Sequence, residues 1–224
     1  MPVMETSDLT ARQYWEQVKA NPNRAKFGFG KRPAIVNIDV QRAYTDMDTF
    51  KTAYETDPRQ IEHINRLSAL VRQLGGPVVW TYVAYLENGV DAGTWGTRTN
   101  TPDSLQNIKH GSERAAFDPR ADIQASDIVM HKRMASPFFE TNLWSLLTFK
   151  QVDTLIITGG STSGCVRACV IDSLSRGYRS IVPEECVADK HEIPHFANLS
   201  DIMLKYGDVE SVAYVAEQLQ ALNK

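Results

Sequence analysis

Short apolar segments alternate with amphipathic segments along this chain, and that alternation limits its possible folds more than any other feature. Six segments have the length and apolar content of β-strands: 34–39, 77–83, 127–131, 154–158, 179–183 and, more weakly, 209–212. Four segments between or after them have helical patterns: 59–74, 142–149, 166–176 and 211–222. Several apolar segments are continuous rather than alternating, which is typical of strands buried on both faces. We therefore predict an α/β fold of three α/β/α layers with a mainly parallel six-stranded sheet.

Two stretches do not fit this alternation. Residues 1–30 are acidic and end in exposed aromatic residues, so we expect an arm that folds back or reaches a neighbouring subunit. Residues 85–120 are rich in Gly, Thr and Asn, and a connection of this length in a compact domain is usually a binding element. The predicted organisation is an N-terminal arm, 1–30, followed by a single domain, 31–224.

The charge balance and the cysteine content exclude several classes of protein. The 224 residues carry 24 basic and 27 acidic side chains, with no basic stripe that would indicate a nucleic-acid partner. No apolar run approaches the roughly 20 residues needed to cross a bilayer, so no membrane partner is expected. The N-terminal region lacks the apolar core of a signal peptide, and three cysteines fit a reducing compartment better than a disulfide framework. These features predict a cytoplasmic protein.

One thiol has an unusual sequence environment. Cys165 follows an apolar strand and a turn of small residues, Gly-Gly-Ser-Thr-Ser-Gly, and it stands at the predicted start of a helix. Unpaired backbone N–H groups and the positive end of the helix dipole favour a thiolate at such a position. The same N–H groups can bind the oxyanion that forms when a thiolate attacks a carbonyl.

Two charged residues stand at the ends of other predicted strands. Asp39 ends the first, and Lys132 directly follows the third. Because the carboxyl ends of parallel strands lie at one edge of a sheet, these residues and Cys165 are expected to meet. Taken alone, each has a more ordinary interpretation as a solvated loop residue, a helix cap or a buried apolar side chain. Together they suggest a carboxylate that takes the thiol proton and an ammonium that stabilises both anions.

A zinc-binding pattern in the sequence is rejected on conformational grounds. The segment His191-Glu-Ile-Pro-His195 matches H-E-x-x-H, which requires both histidines one turn apart inside a helix. Pro194 suits only the first turn of a helix, because a proline in the interior removes a hydrogen bond and collides with the preceding turn. We therefore predict no metal site here.

Three segments together resemble the cysteine hydrolases of the isochorismatase-like superfamily, and within it the N-carbamoylsarcosine amidohydrolase group. They are 159–168 (Gly-Gly-Ser-Thr-Ser-Gly-Cys-Val-Arg-Ala), 132–141 (Lys-Arg-Met-Ala-Ser-Pro-Phe-Phe-Glu-Thr) and 194–202, which is followed by Lys-Tyr-Gly-Asp-Val at 205–209. The similarity covers nearly the whole chain from residue 30 onward. It implies the isochorismatase-like hydrolase fold for the catalytic domain and a triad of Asp39, Lys132 and Cys165.

The resemblance also implies a chemistry for this triad. A cis peptide is expected between Gly160 and Ser161, with an oxyanion hole formed by the backbone amides of Gly160, Ser161 and Cys165. The implied activity is cysteine-dependent cleavage of a C–N bond (amide, ureido or carbamoyl) in a small molecule, through a thioester. A maleamate-type or lactam amidohydrolase with the same triad remains an alternative, as does a catalytically silent member that serves as a binding module.

Four residues are candidates for contact with the substrate. Gln41 lies two residues past Asp39, Trp95 lies in the long loop, and Phe138 is an aromatic candidate for the pocket wall. Lys190 stands where the family often has an arginine that binds a substrate carboxylate, and lysine supplies a point charge instead of a planar fork.

The resemblance carries further expectations about bound groups and assembly. Related nicotinamidases bind a metal through an Asp-x-His pattern, and the segment 46–48 (Asp-Met-Asp) lacks the histidine. We therefore expect neither a metal nor another cofactor. The family is usually multimeric, so a homo-oligomer (dimer or tetramer) is predicted.

Overall fold

The alternation of strands and helices is present in the computed structural model, which describes residues 7–98 and 107–223. The strands are β1 (Pro33–Ile38), β2 (Val78–Val83), β3 (Ile128–Lys132), β4 (Thr154–Gly160), β5 (Arg179–Pro183), β6 (Val187–Ala188) and β7 (Asp208–Glu210). The helices are α1 (Ala11–Ala20), α2 (Arg42–Thr45), α3 (Gln60–Gln73), α4 (Leu143–Phe149), α5 (Arg167–Ser175), α6 (Glu192–Lys205) and α7 (Val212–Leu222). A single π-helical turn, Thr162–Val166, connects β4 to α5.

The strands form one parallel sheet in the order β3-β2-β1-β4-β5-β7. The predicted α/β/α fold and its six main strands are confirmed. The short strand β6 is an addition, and it pairs with the last two residues of β4, Gly159 and Gly160. The strand order changes direction between β1 and β4, and in such sheets ligands bind beyond the carboxyl ends of the strands at this point.

Apolar side chains cover both faces of the sheet. All six residues of β1 and all seven of β4 are buried, which explains why their sequences are apolar without alternation. On one face, α3 contributes a buried stripe at helical spacing, which consists of Ile61, Ile64, Leu67 and Val71. Helices α4, α5 and α6 cover the other face with a second apolar cluster. These two layers hold the strand ends in place.

The described part of the predicted arm packs against the rest of the chain. Helix α1 begins with a capping box between Thr10 and Gln13 and lies against α6. Trp15 is only 1% exposed and belongs to the same apolar cluster as α5 and α6. Residues 1–6 of the arm lie outside the described residues.

Helix α6 was not predicted from the sequence. It begins at Glu192, so Pro194 occupies its first turn, the one part of a helix where proline is tolerated. The longest described helices, α3 and α6, have 14 residues each. Within 7–98 and 107–223, no helix combines the length and the apolar character needed to cross a membrane.

The long connection between β2 and β3 returns to the carboxyl edge of the sheet. Its described parts include a 3-10 segment, Val90–Thr97, and two isolated bridges, which pair Tyr85 with Lys109 and Gln41 with Phe117. Residues 99–106 of the loop that we predicted to be a binding element lie outside the described residues.

Candidate active site

The structure brings the three predicted reactive groups together at the carboxyl edge of the sheet. Asp39 follows β1, Lys132 ends β3, and Cys165 lies in the π turn after β4. The Nζ atom of Lys132 is 2.7 Å from Oδ2 of Asp39 and 3.4 Å from Sγ of Cys165. The side chains of Lys132 and Asp39 are 0% and 1% exposed, so their charges face each other with little screening by water.

Local contacts fix the direction of the carboxylate. Asp39 has a positive φ of 53°, a conformation that non-glycine residues rarely adopt. Its backbone N–H donates to the carbonyl of Thr81 at 3.1 Å, and the Thr81 hydroxyl donates to Oδ1 at 2.9 Å. The Lys132 ammonium also donates to the carbonyl of Met134 at 3.1 Å. The pair is therefore held from β1, β2 and β3 together.

Burial opposes ionisation of the thiol. It raises the pKa of Cys165 to about 12; the Lys132 ammonium opposes this rise, and the charge of Asp39 and a hydrogen bond to Asp39 add to it. Desolvation therefore acts against the thiolate that the helix start was predicted to favour, and the thiolate stays a prediction. Burial disfavours the charge of Lys132, yet Asp39 and Cys165 raise the pKa of this lysine above its ordinary value. The site is thus an ion pair beside the thiol of Cys165.

The turn that carries the thiol requires glycine at two positions. Gly159 has a φ of 95°, and a side chain there would collide with the carbonyl of Ile38 in the adjacent strand. A side chain at Gly160 would collide with the hydroxyl of Tyr54. The peptide bond between Gly160 and Ser161 is cis. These residues lead directly into the π turn, so the predicted oxyanion residues Gly160, Ser161 and Cys165 belong to one continuous segment.

Side chains from outside the turn hold it in place, and the sequence did not identify them. Gln60 Nε2 donates to the Gly159 carbonyl at 3.1 Å, and Asp189 Oδ2 accepts from the Ser163 N–H at 2.7 Å. Nδ1 of His195 lies 2.9 Å from the hydroxyl of Thr162, and both side chains are buried. Burial lowers the pKa of His195 to about 4, so this histidine is neutral. In the sequence, His195 stood out in the third resembling segment and in the H-E-x-x-H pattern that was rejected as a zinc site.

Two predicted substrate contacts, Gln41 and Phe138, have other partners in the structure, and their contact with substrate stays a prediction. Gln41 is fully buried, and its side-chain amide bonds to backbone groups: Nε2 donates to the carbonyls of Val83 and Ala115, and Oε1 accepts from the Val83 N–H. Gln41 therefore joins α2 to the end of β2 and to the long loop. Phe138 is 6% exposed and stacks on Tyr178, so it contributes to the apolar core.

The other two candidates have different surroundings. Trp95 is partly exposed in the 3-10 segment of the long loop, and its contact with substrate stays a prediction. The ammonium of Lys190 donates to the carbonyls of Lys51 and Ala53 at 2.7 and 2.9 Å. Lys190 thus holds the segment that follows α2, and its predicted contact with a substrate carboxylate is not tested by these bonds.

Two tyrosines beside the triad were missed by the sequence analysis. The rings of Tyr44 and Tyr54 are 6.0 Å apart and tilted. Burial raises the pKa of both phenols, and the nearby charge of Asp39 contributes. Both hydroxyls therefore remain protonated and able to donate hydrogen bonds at neutral pH.

The motifs considered as metal sites have other contacts. His191 is the N-cap residue of α6, and His195 bonds to Thr162 as described above. Asp46 pairs with Arg42 at 2.7 Å. Within the described residues, no three His, Cys, Asp or Glu side chains are arranged to hold a metal ion.

Comparisons with known proteins agree with this architecture. A model of the isochorismatase domain matches residues 33–214. Maleamate amidohydrolase of Pseudomonas putida is 38% identical over 198 residues, which cover 88% of this chain and 91% of that protein. N-carbamoylsarcosine amidase of an Arthrobacter species is 33% identical over 215 residues, which cover 89% and 75%. A crystal structure of a cysteine hydrolase from Pseudomonas syringae shares the fold, with a TM-score of 0.80 at 19% identity over 88% of this chain and 97% of that chain.

Proposed function

This chain belongs to the isochorismatase domain family, and we propose that it is an amidohydrolase that uses Cys165 to cleave a C–N bond of a small molecule. The observation that carries the proposal is the position of the Lys132 ammonium, 2.7 Å from Asp39 and 3.4 Å from the sulfur. A carboxylate, an ammonium and a thiol at these distances supply a proton acceptor, a charge partner and a nucleophile to one carbonyl carbon.

The first half of the proposed reaction forms a thioester. The sulfur of Cys165 attacks the carbonyl carbon while Asp39 takes its proton. Because burial raises the thiol pKa to about 12, this proton moves during the attack and not before it. The leaving nitrogen then receives the proton from Asp39, the C–N bond breaks, and ammonia or an amine departs. The Lys132 ammonium stabilises the negative charge wherever it resides in this sequence.

The second half consumes water. A water molecule attacks the thioester carbon and passes a proton to Asp39, the C–S bond breaks, and the sulfur recovers the proton. In both halves the backbone N–H groups of Gly160, Ser161 and Cys165 are proposed to bind the tetrahedral oxyanion. Donors that are fixed before the reaction stabilise this charge without reorganisation, and the loss of one such donor typically costs a factor of about 10²–10³ in kcat.

Two relatives suggest two different candidate substrates for this chain. N-carbamoylsarcosine amidase represents the carbamoyl class predicted from the sequence, at 33% identity. Maleamate amidohydrolase is the second candidate, and its higher identity of 38% over most of both proteins favours it. Trp95 is proposed to contact the substrate from the long loop in either case.

Ammonia release by the purified protein tests the proposal. Maleamate and N-carbamoylsarcosine are compared by ammonia release, and a cyclic amide, whose nitrogen stays attached after ring opening, is assayed by chromatography of the ring-opened product. The Cys165→Ala variant is the control for each. We expect one of these amides to be hydrolysed and the alanine variant to lose activity by a factor of about 10⁴ or more. Turnover that survives in Cys165→Ala would exclude the thioester, and failure of both proteins on all substrates would favour the catalytically silent alternative.

Three further expectations concern the whole protein. We propose a homo-oligomer of two or four chains, a cytoplasmic location, and a catalytic domain that begins at residue 31. Sedimentation equilibrium measures the number of chains directly, and a monomer at micromolar concentration would contradict the first of these expectations.

A further inference from the structure

Three cavities lie around Thr45, the last residue of α2. The outermost has a volume of about 480 Å³ and is open to the surface, where charged side chains such as Arg120 and Glu55 line it. The second has a volume of about 10 Å³, and Thr45, Glu55 and Arg120 line it as well. The outer two cavities are therefore neighbours that share three residues.

The innermost cavity is lined in part by Asp39, the proposed catalytic base. It has a volume of about 10 Å³ and shares Thr45, Tyr54 and Gln60 with the second cavity. Gly160 also lines it. Neither Cys165 nor Lys132 is among the described residues that line this cavity. We call these three cavities a row, because shared lining residues link the surface cavity to the one lined by Asp39; Cys165 lines none of the three.

The size of the inner cavities selects what can occupy them. A cavity needs a volume of about 10–15 Å³ to hold one water molecule. At about 10 Å³, each inner cavity holds at most one molecule the size of water, and an amide substrate with several heavy atoms is too large for it. Passage between them requires small rotations of the shared side chains, which occur within nanoseconds for partly exposed residues.

The lining of the inner cavities is polar. The hydroxyl of Thr45 donates to the Gln41 carbonyl at 3.1 Å, and its oxygen keeps acceptor capacity. The phenol of Tyr54 is protonated at neutral pH, since burial raises its pKa. Together with Asp39 in the lining of the innermost cavity, the row offers the two to four polar partners that a buried water requires.

We propose that this row of cavities, from the surface past Thr45 to Asp39, delivers the water that hydrolyses the thioester, by a route separate from that of the amide substrate. The inference rests on the proposed function, because it needs a thioester and a carboxylate base. The acyl group fills the substrate side of the site after ammonia has left, so a second route lets water reach the base directly. In the step, the water oxygen bonds to the thioester carbon, one proton passes to Asp39, the C–S bond breaks, and that proton returns to the sulfur.

The variant Thr45→Leu tests the route by placing a larger apolar side chain where all three cavities meet. Maleamate is the probe, or N-carbamoylsarcosine if that amide is the one hydrolysed. Rapid-quench measurement of ammonia in the first turnover reports acylation, and hydroxylamine at fixed concentration captures part of the acyl-enzyme. We expect acylation to stay within about twofold and the ratio of captured to hydrolysed product to rise about tenfold, since delivery of water to the base is impaired.

Two further variants control for effects of Thr45→Leu that do not come from blocking the cavities. Thr45→Val conserves the shape and removes only the hydroxyl, and we expect a smaller rise in the ratio, about threefold, with unchanged folding. Thr49→Leu changes an exposed position in the same segment and should leave both readouts unchanged. An unchanged ratio in both Thr45 variants, or a first turnover that slows in parallel with the hydrolysis step, overturns the water route.

The outcome also separates this inference from the proposed function. If Cys165→Ala is inactive and both Thr45 variants behave like the wild type, the water route alone fails. If Cys165→Ala retains full turnover, the thioester is absent, and both proposals fail together.

Discussion

Two buried carboxylates lie at opposite edges of the sheet, and they differ in the kind of partners they have. Asp127 precedes β3 at the amino edge. It accepts from Arg72 through Nε and Nη2 at 2.7 Å each, from the Trp80 indole at 2.9 Å and from the Gln124 N–H at 3.1 Å. All of these donors keep their protons at physiological pH, so Asp127 has a structural role: its hydrogen bonds hold the neighbouring segments together.

Asp39 lies at the carboxyl edge and is bound differently. Its fixed donors are the Lys132 ammonium at 2.7 Å and the Thr81 hydroxyl at 2.9 Å, and its third neighbour is the thiol of Cys165. Lysine provides a compact charge shared with the sulfur, whereas the fork of an arginine would occupy both carboxylate oxygens. A carboxylate whose neighbour can release a proton is able to act as a base, and one that is surrounded by permanent donors is structural.

The largest expected effect distinguishes the two carboxylates by activity. Asp39→Asn should lower kcat by a factor of about 10³, since an amide cannot take the thiol proton. Asp127→Asn should leave kcat within about threefold, a change of under about 1 kcal/mol in the barrier. Steady-state ammonia release measures both, after circular dichroism has shown that both variants are folded. Equal losses of kcat in the two folded variants would remove the distinction.

The second prediction concerns the stability of the fold instead of the activity, and it is made for Asp127. Asp127→Asn should lower the free energy of unfolding by about 2–3 kcal/mol at pH 7, because hydrogen bonds to a charged group are lost in a buried position. Urea denaturation measures this change. An exposed pair such as Arg59 and Glu62 serves as the control, and its removal should leave the midpoint unchanged.

The pH dependence of that stability follows from the pKa of Asp127. Burial raises this pKa, but the hydrogen bonds from Arg72 and its other donors lower it below the ordinary value. A lowered carboxyl pKa contributes stability above the unfolded value of about 4, and the contribution is lost as the pH falls through the folded value. The difference between wild type and Asp127→Asn should therefore be complete at pH 7 and shrink below about pH 4. A difference that stays constant down to pH 3 would contradict the assignment.

A third prediction concerns the thiol itself. In Asp39→Asn, alkylation of Cys165 by iodoacetamide at pH 8 should be about tenfold faster than in wild type, because the carboxylate that raises the thiol pKa is gone and Lys132 remains. Mass spectrometry of the labelled peptides measures the rate, with the buried Cys169 and Cys186 as internal references. Slower labelling in the variant would show that the carboxylate does not control the thiol.

The wild-type protein supplies a control for this measurement. With a pKa of about 12, its labelling rate should keep rising up to pH 10 instead of reaching a plateau near pH 8. Slow labelling at neutral pH is therefore expected of an active enzyme with this site, and it does not indicate a silent family member.

The smallest expected effect tests whether the hydrogen bond between His195 and Thr162, in the turn that carries Cys165, contributes to catalysis. His195→Asn should lower kcat about fivefold with little change in KM, since the bond to Thr162 positions the turn without touching substrate. Thr162→Val should have a similar effect, and the double variant should lose no more than either single variant. The exposed His110→Asn is the matched control. Additive losses in the double variant would show that the two side chains act separately.

Much of the fold and the placement of the triad were predictable from the sequence. Continuous apolar segments indicated strands that are buried on both faces. A parallel sheet places the carboxyl ends of all its strands at one edge. That geometry brought Asp39, Lys132 and Cys165 together without any knowledge of side-chain contacts. Helix α6 was missed because Pro194 interrupts the pattern near its start, although the first turn tolerates it.

Contacts between distant segments were not predictable. Gln41 faces the carbonyls of Val83 and Ala115 because the long loop returns to the end of β2, and Phe138 meets Tyr178 across the core. Nothing local in the sequence distinguishes these two residues from pocket residues. The role of His195 beside the turn was not predictable either, because its partner Thr162 is 33 positions away in the chain.

The sequence by itself determined which strands end in reactive groups and on which edge they meet, because apolar period and chain direction are local properties. Only the tertiary structure decided how far the thiol is removed from water. A helix start favours the anion through dipoles of a few neighbouring peptides, whereas desolvation depends on every segment that packs around the sulfur. In this protein the packing around Cys165 raises the pKa of its thiol and so favours the protonated form.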